Sequence, residues 1–265
     1  MVYNETVSLY NWRDMQRLSL EAESGIEVGE SFLQTAYNRY VYTYPERVDF
    51  PLPDVTGDGR DAMLISIIDE NARLNINKIV NPNGTLDENS YKSFKRLLKI
   101  LGIDEDVADI IADWIDKDSE ERVAGSEKGA KNGYLYSIDE LLDIKGINGD
   151  IYKKLLPHVT IFGNGLVNIN SADISVLMSM SEDISEELAK RVISYRELKP
   201  FVKWQDLRNV AGFGTLYTSL AGRITVKGSA FSIIVSARED KLKRSINAVI
   251  VFKNNVPLYK YWKET

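Results

Sequence analysis

Apolar residues recur at helical spacing between residues 9 and 40: Leu18, Ala22, Gly25, Ile26, Gly29, Phe32, Leu33 and Ala36, with Arg17, Glu21, Glu23, Glu27 and Glu30 among them. A stripe of that period predicts one long amphipathic helix. Its glycines and small residues allow close approach of another backbone, either the protein's own sheet or a second chain. Pro45, Pro51 and Pro53 end the helix and predict an extended connection. Ala62 to Ile68 is apolar and β-branched, which predicts a strand. Residues 87–115 read as two helices split at Gly102, the first ending in Leu97, Leu98, Ile100 and Leu101, the second striped by Val107, Ile110, Ile111 and Trp114. Gly125, Gly129 and Gly133 mark residues 122–136 as loop. Helices resume at 137–156, 171–180, 185–197 and 203–210.

The C-terminal residues change period. Arg223 to Ala237, Arg244 to Phe252 and Val256 to Trp262 alternate apolar with polar, and Asn254-Asn255 suits a hairpin tip. Three late antiparallel strands joined by the early one near residue 65 would form one sheet. The expected class is therefore α+β, an N-terminal helix plus antiparallel sheet with a large all-α domain inserted between strands. The expected division is 1–80 with 218–265 for the sheet domain and 81–217 for the insertion. One phrase brackets the helical middle: Leu74-Asn75-Ile76-Asn77 returns as Val167-Asn168-Ile169-Asn170.

Composition narrows the function classes. The 265 residues are 44% hydrophobic and 27% charged, as in ordinary globular proteins. A net charge of −6 gives the whole molecule no pull toward nucleic acid or anionic membrane. With no cysteine there is neither a disulfide nor a thiolate metal site. His158 is the sole histidine and follows Pro157 at an expected helix end, where a solvent-facing or capping role fits better than catalysis. No run approaches the roughly 18 apolar residues that span a bilayer, and no signal peptide precedes Tyr3. The expectation is a cytosolic protein or one whose hydrophobic N-terminus lies outside this sequence. The first helix favours the second.

Three segments are candidates for chemistry. Asp113-Trp-Ile-Asp116-Lys-Asp118-Ser-Glu120-Glu121 concentrates carboxylates at a helix end, where the macrodipole is also negative. A hard divalent cation would relieve this; the other reading is a solvated acidic face. Asp54-Val-Thr-Gly57-Asp58-Gly59-Arg-Asp61 begins like an EF-hand loop, but position twelve is Ile65, so a glycine-rich turn is expected. Two stretches resemble helix-hairpin-helix units: Leu141 through Ile147 into 149–156, and Ala172 through Ile184 into Glu186–Arg196, then Phe201, Trp204, Leu207 and Val210-Ala-Gly212-Phe-Gly214. Such hairpins hold a phosphate on glycine amides. Here the turn Ser181-Glu182-Asp183-Ile184 has no glycine and two carboxylates, so structural packing is expected and nucleic acid is not. No phosphate loop, nucleophile elbow or HExxH sequence points to an enzyme.

The order of several short blocks resembles the K-type minor pseudopilins of bacterial type II secretion. These blocks are Ala22-Glu-Ser-Gly25, Ile68-Asp-Glu70-Asn71-Ala-Arg-Leu74-Asn75-Ile76-Asn77, Ala112-Asp113-Trp114-Ile115-Asp116, Lys131-Asn132-Gly133, Ser137-Ile-Asp-Glu140-Leu141-Leu142, Val167-Asn-Ile-Asn170-Ser-Ala172, Tyr195-Arg196, Pro200-Phe201 and Asp206-Leu207. The last also resembles competence-type DNA-binding hairpins, which keeps a DNA-binding alternative open. The resemblance implies a pilin-like fold with a helix-hairpin-helix/SAM-like insertion, at the tip of a periplasmic pseudopilus. It further implies I- and J-type minor pseudopilins and the major pseudopilin fibre as partners, and an inner-membrane anchor outside this sequence. Calcium in the helical domain is implied too, with Asp113, Asp116, Asp118 and Glu120 as its expected ligands. The expected partner face is Leu18, Ala22, Gly25, Ile26, Gly29, Phe32 and Leu33.

Overall fold

In chain order, α1 (Val2–Arg39) leads to β1 (Arg47–Leu52) and β2 (Asp61–Asp69), followed by a long helical segment. That segment holds the two-residue strands β3 (Leu74–Asn75), β4 (Val159–Thr160), β5 (Val167–Asn168) and β6 (Ile224–Thr225). Its helices are α2 (Glu88–Ile100), α3 (Asp106–Ile115), α4 (Gly149–Leu155), α5 (Ile174–Ser179) and α6 (Glu186–Leu198). Strands β7 (Ala230–Glu239), β8 (Leu242–Lys253) and β9 (Val256–Glu264) finish the chain. This computed structural model describes residues 2–52, 61–239 and 241–265. Two compact units result: Met1–Val41, Pro45–Asp69 and Ser229–Thr265 form one, Tyr42–Tyr44 and Glu70–Gly228 the other.

In the first unit the strand order is β1-β2-β7-β8-β9, antiparallel throughout. Ile65 faces Val235 and Ile67 faces Ile233 across the β2–β7 pair, so the strand near residue 65 is a neighbour of a late strand. Alternation puts Ile65, Ile67, Phe231, Ile233, Val235, Ile246, Ala248 and Ile250 in one core with Leu18, Ala22, Ile26 and Leu33 of α1. Burying each large aliphatic side chain is worth roughly 1.5–3 kcal/mol. Gly25 and Gly29 bring the helix down onto that face. A Cβ at Gly25 would lie 2.7 Å from Val235 Cγ1, and one at Gly29 would lie 2.8 Å from Ile233 Cγ2. Asn254 and Asn255, at φ 53° and 63°, turn the β8–β9 hairpin as expected for a primed turn.

Two strand expectations need correction. Arg47–Leu52 is an edge strand rather than a plain connection. Its Pro51 is tolerated because an edge strand can spare an N–H. The run 223–237 is not one strand: β6 ends at Thr225, and β7 starts at Ala230 after Lys227-Gly228. The unit boundaries also differ from 80/81 and 217/218. Residues 70–80 and 218–228 belong to the helical unit because their short strands pair inside it, β3 with β4 and β5 with β6, both parallel.

The helical unit is one plan carried out twice around a single apolar core. Each half opens on the Asn-Ile-Asn phrase. Asn75 Oδ1 accepts the Asn77 amide at 3.0 Å, and Asn168 Oδ1 accepts the Asn170 amide at 3.0 Å. The Asn77 side chain accepts from Leu135 N and donates to Leu135 O and Ile161 O. Asn170 makes the same three bonds, accepting from Phe201 N and donating to the carbonyls of Phe201 and Val226. Next come two helices, α2 and α3 or α5 and α6, and a 3-10 turn, Ile138–Asp143 or Trp204–Asn209. A carboxylate three residues into each turn accepts the leading N–H: Ser137 N to Glu140, Lys203 N to Asp206. Gly146 and Gly212 follow at φ 94° and 97°, a conformation side chains resist. Leu141, Ile144, Ile147 and Leu155 are buried in the first half; Leu207, Val210, Phe213 and Leu220 take the corresponding places in the second.

Candidate metal centre and partner surface

Helix α3 buries Val107, Ala108, Ile111, Ala112 and Ile115 against the core, and this fixes which way its last turn faces. Asp113 lies in that turn and Asp116 is its C-cap, in extended conformation at ψ 179°. Both are buried, at 0% and 1% exposure. The loop then bends back at Gly125 and Gly129, which have positive φ, and returns Glu127 to the helix end. One oxygen each from Asp113, Asp116 and Glu127 lies within 4.8 Å of the others.

Arg122 occupies the same corner. Its Nη1 donates to Asp113 Oδ1 and Asp116 Oδ2, and its backbone N–H donates to Asp113 Oδ2 at 2.9 Å. Ser126 Oγ also donates to Asp113 Oδ2. Asp116 Oδ1 and Glu127 Oε1 are buried with no hydrogen-bond partner among the described residues. Burial pushes the Asp116 carboxyl above the usual range, with Asp118 and Asp113 adding to it and Arg122 opposing. Glu127 is raised as well, by burial first and then by the charges of Asp116, Asp113 and Asp118. Burial alone would lower the Arg122 guanidinium, but its bonds to Asp116 and Asp113 outweigh this and raise it. Three converging carboxylates with bare buried oxygens are hard donors and fit a divalent cation of the calcium or magnesium kind.

The structure thus gathers Asp113 and Asp116 but not the rest of the expected ligand set. Asp118 and Glu120 are exposed, and Asp118 Oδ1 is turned to the Glu120 amide at 2.8 Å. Glu127 joins instead, because the glycine turns fold the loop back rather than leading it away from the helix. The paired glycines were the available sequence signal. Of the EF-hand-like stretch, residues 54–60 lie outside the described residues, and Asp61 opens β2. His158 sits at a cap, its Nδ1 2.6 Å from Oδ2 of Asp173, the residue that caps α5 through Val176 N.

The expected partner face also needs correction. Leu18, Ala22, Gly25, Ile26, Gly29 and Leu33 are covered by the protein's own sheet. The small residues serve helix-on-sheet packing. Phe32 is 46% exposed and packs edge-on against Phe50 at 4.5 Å. Among the described side chains of α1, Trp12, Leu20, Val28 and Phe32 are exposed large apolar residues, spread around the side of the helix away from its buried stripe. At the hairpin turn, Glu182 and Asp183 are exposed to solvent.

Residues 72–164 match the family model described as Type II secretion system (T2SS), protein K, and residues 164–225 match the helix-hairpin-helix motif. The protein K of Dickeya chrysanthemi is 28% identical over 152 residues, covering 50% of this chain and 42% of that one. That of Pseudomonas aeruginosa is 29% identical over 175 residues, covering 59% and 51%. The chain therefore spans about half the length of these curated relatives. Among solved structures, a chain of the GspK-GspI-GspJ complex from enterotoxigenic Escherichia coli aligns with a TM-score of 0.75 at 17% identity, covering 98% of this chain and 99% of that one. By sequence through its middle the chain is similar to the K-type proteins of type II secretion, and by fold it is similar over nearly its whole length to a chain of that complex.

Proposed function

We infer that this chain is a non-enzymatic minor pseudopilin that caps or initiates a type II secretion pseudopilus together with I- and J-type partners. The near full-length likeness in fold to a chain of the GspK-GspI-GspJ complex carries this reading. The second unit, spliced in sequence between the neighbouring strands β2 and β7, is a large addition to the sheet unit and supports a specialised rather than a repeating subunit. The protein would stand on the periplasmic side, held to the inner membrane and the fibre by a hydrophobic segment before α1. Among the described residues no helix is long and apolar enough to cross a membrane. Calcium held by Asp113, Asp116 and Glu127 belongs to the same reading and would neutralise the acidic end of α3.

The exposed apolar side chains Leu20 and Val28 of α1 support the partner assignment, since apolar residues on the outer side of a helix favour packing against another helix. Co-purification with I- and J-type proteins tests it. Leu20→Glu and Val28→Glu should abolish the complex while leaving the melting midpoint of the chain unchanged. If those two proteins bind one another but never this chain, the reading is wrong. The helix-hairpin-helix match favours DNA binding as the second reading, against which stand the exposed carboxylates of Glu182 and Asp183. A salt-dependent mobility shift would revive it.

A further inference from the structure

We propose that Arg122 is a built-in surrogate for the metal ion: its guanidinium holds the carboxylate trio together in the ion-free protein and is expelled when a divalent cation enters. This rests on the calcium reading above and concerns how that site is regulated. The oxygens that Arg122 Nη1 engages, Asp113 Oδ1 and Asp116 Oδ2, belong to two of the three groups a cation would need. One guanidinium cannot satisfy the trio. It leaves Asp116 Oδ1 and Glu127 Oε1 buried and bare, and three carboxylates against one cation leave a net negative site. A divalent ion with six to eight oxygen ligands suits that surplus better. Guanidinium and ion cannot share the corner, because they are like charges competing for the same lone pairs.

The loop is built for exchange without unfolding. The Arg122 backbone N–H is tied to Asp113 Oδ2 independently of its side chain, and Ser126 ties the loop to the same oxygen. The Arg122 side chain is 25% exposed and has a route to solvent, whereas those of Asp113 and Asp116 have none, at 0%. Swinging the guanidinium outward thus opens the site while the loop stays anchored. On this arrangement the fold survives without metal, and ion affinity is set by competition with an internal cation.

Chelator-treated protein titrated with calcium chloride, by calorimetry and by melting midpoint, tests the idea in wild type, Arg122→Gln and Arg122→Lys. The wild type should melt cooperatively without the ion. Arg122→Gln should melt lower without the ion, bind calcium about tenfold more tightly than wild type, and show the larger upward shift on binding. Arg122→Lys, which keeps the charge but not the planar fork, should fall between them. Calcium binding by Arg122→Gln alone also supports competition. If wild type binds calcium and Arg122→Gln binds it equally or more weakly, the surrogate role is overturned and the calcium reading stands. If no variant binds calcium, both are overturned.

Discussion

The two halves of the helical unit share their framework and differ in what they hang on it. Both clamp an Asn-Ile-Asn phrase between the approach to a 3-10 turn and the residue after a short strand. Both place a positive-φ glycine after that turn. The first half, however, runs from Asp116 to Ser137 between its second helix and the turn, where the second half needs only Lys199 to Lys203. The extra length holds Arg122, Ser126 and Glu127, and with them the acidic site. In the second half a buried cation serves the backbone instead: Arg196 Nη1 donates to the carbonyls of Ile169 and Ala172. A repeated scaffold can thus carry an acidic cluster in one copy alone, because the clamp and glycine turn secure the fold whatever the intervening loop does.

The heaviest test of this equivalence is the clamp. Asn77→Ala and Asn170→Ala each strand one buried amide and two carbonyls, and each should cost about 3 kcal/mol or more in denaturant unfolding. A benign result in one half would mean that the copies are alike in outline only. Next come the turns. Gly146→Ala should cost about 1 kcal/mol from left-handed strain. Gly212→Ala should cost about 2 kcal/mol, since its Cβ would also lie 2.6 Å from Leu188 Cδ1, against 3.4 Å from Ile110 Cδ1 at Gly146.

The helix caps give a smaller contrast. Asp87→Ala and Asp173→Ala each remove an N-cap bond worth about 1 kcal/mol. Asp173 also loses His158, so its substitution should cost the more. Burial pushes the Asp173 carboxyl up, but His158 and the amides of Val176 and Ser175 outweigh it and hold the group below its ordinary value. Its contribution is therefore complete above the unfolded-state value of about 3.9 and is lost as pH falls through the lower folded-state value. The gap between wild type and Asp173→Ala, measured by urea unfolding, should be full at neutral pH and close in strong acid.

The smallest effect separates the halves again and has the opposite sign. Glu127 is raised in the folded state, so its ionisation weakens the metal-free protein as pH rises through that value. Glu127→Gln should stabilise the chelated protein at neutral pH by up to about 1 kcal/mol, and this gain should vanish in the acid range where unfolded carboxyls are protonated. In melting curves over pH, a destabilised Glu127→Gln at neutral pH would show that its carboxylate is paired rather than bare.

Much of this was legible along the chain. The period of α1, the break at Gly102, the alternation of β8 and β9 and the repeated Asn-Ile-Asn phrase are local features, and local geometry imposes them. Strand β1 was hidden because Pro51 reads as a breaker until the strand is known to lie on an edge. The stripe from Leu18 to Leu33 announced that something would cover it, but apolar spacing does not name the cover. The sheet does, through Val235 and Ile233 packed over Gly25 and Gly29.

What the chain determined unaided is the long first helix, the splicing of a helical segment between one early strand and the late ones, and an excess of carboxylates at the end of α3. Tertiary structure alone decided that the helix stripe is spent on the chain's own sheet, and that Glu127 rather than Asp118 or Glu120 completes the acidic trio. It also set Arg122 among those carboxylates. The reason is one of range: periodicity and capping act over a few residues, whereas a loop's return path depends on the surfaces that close around it.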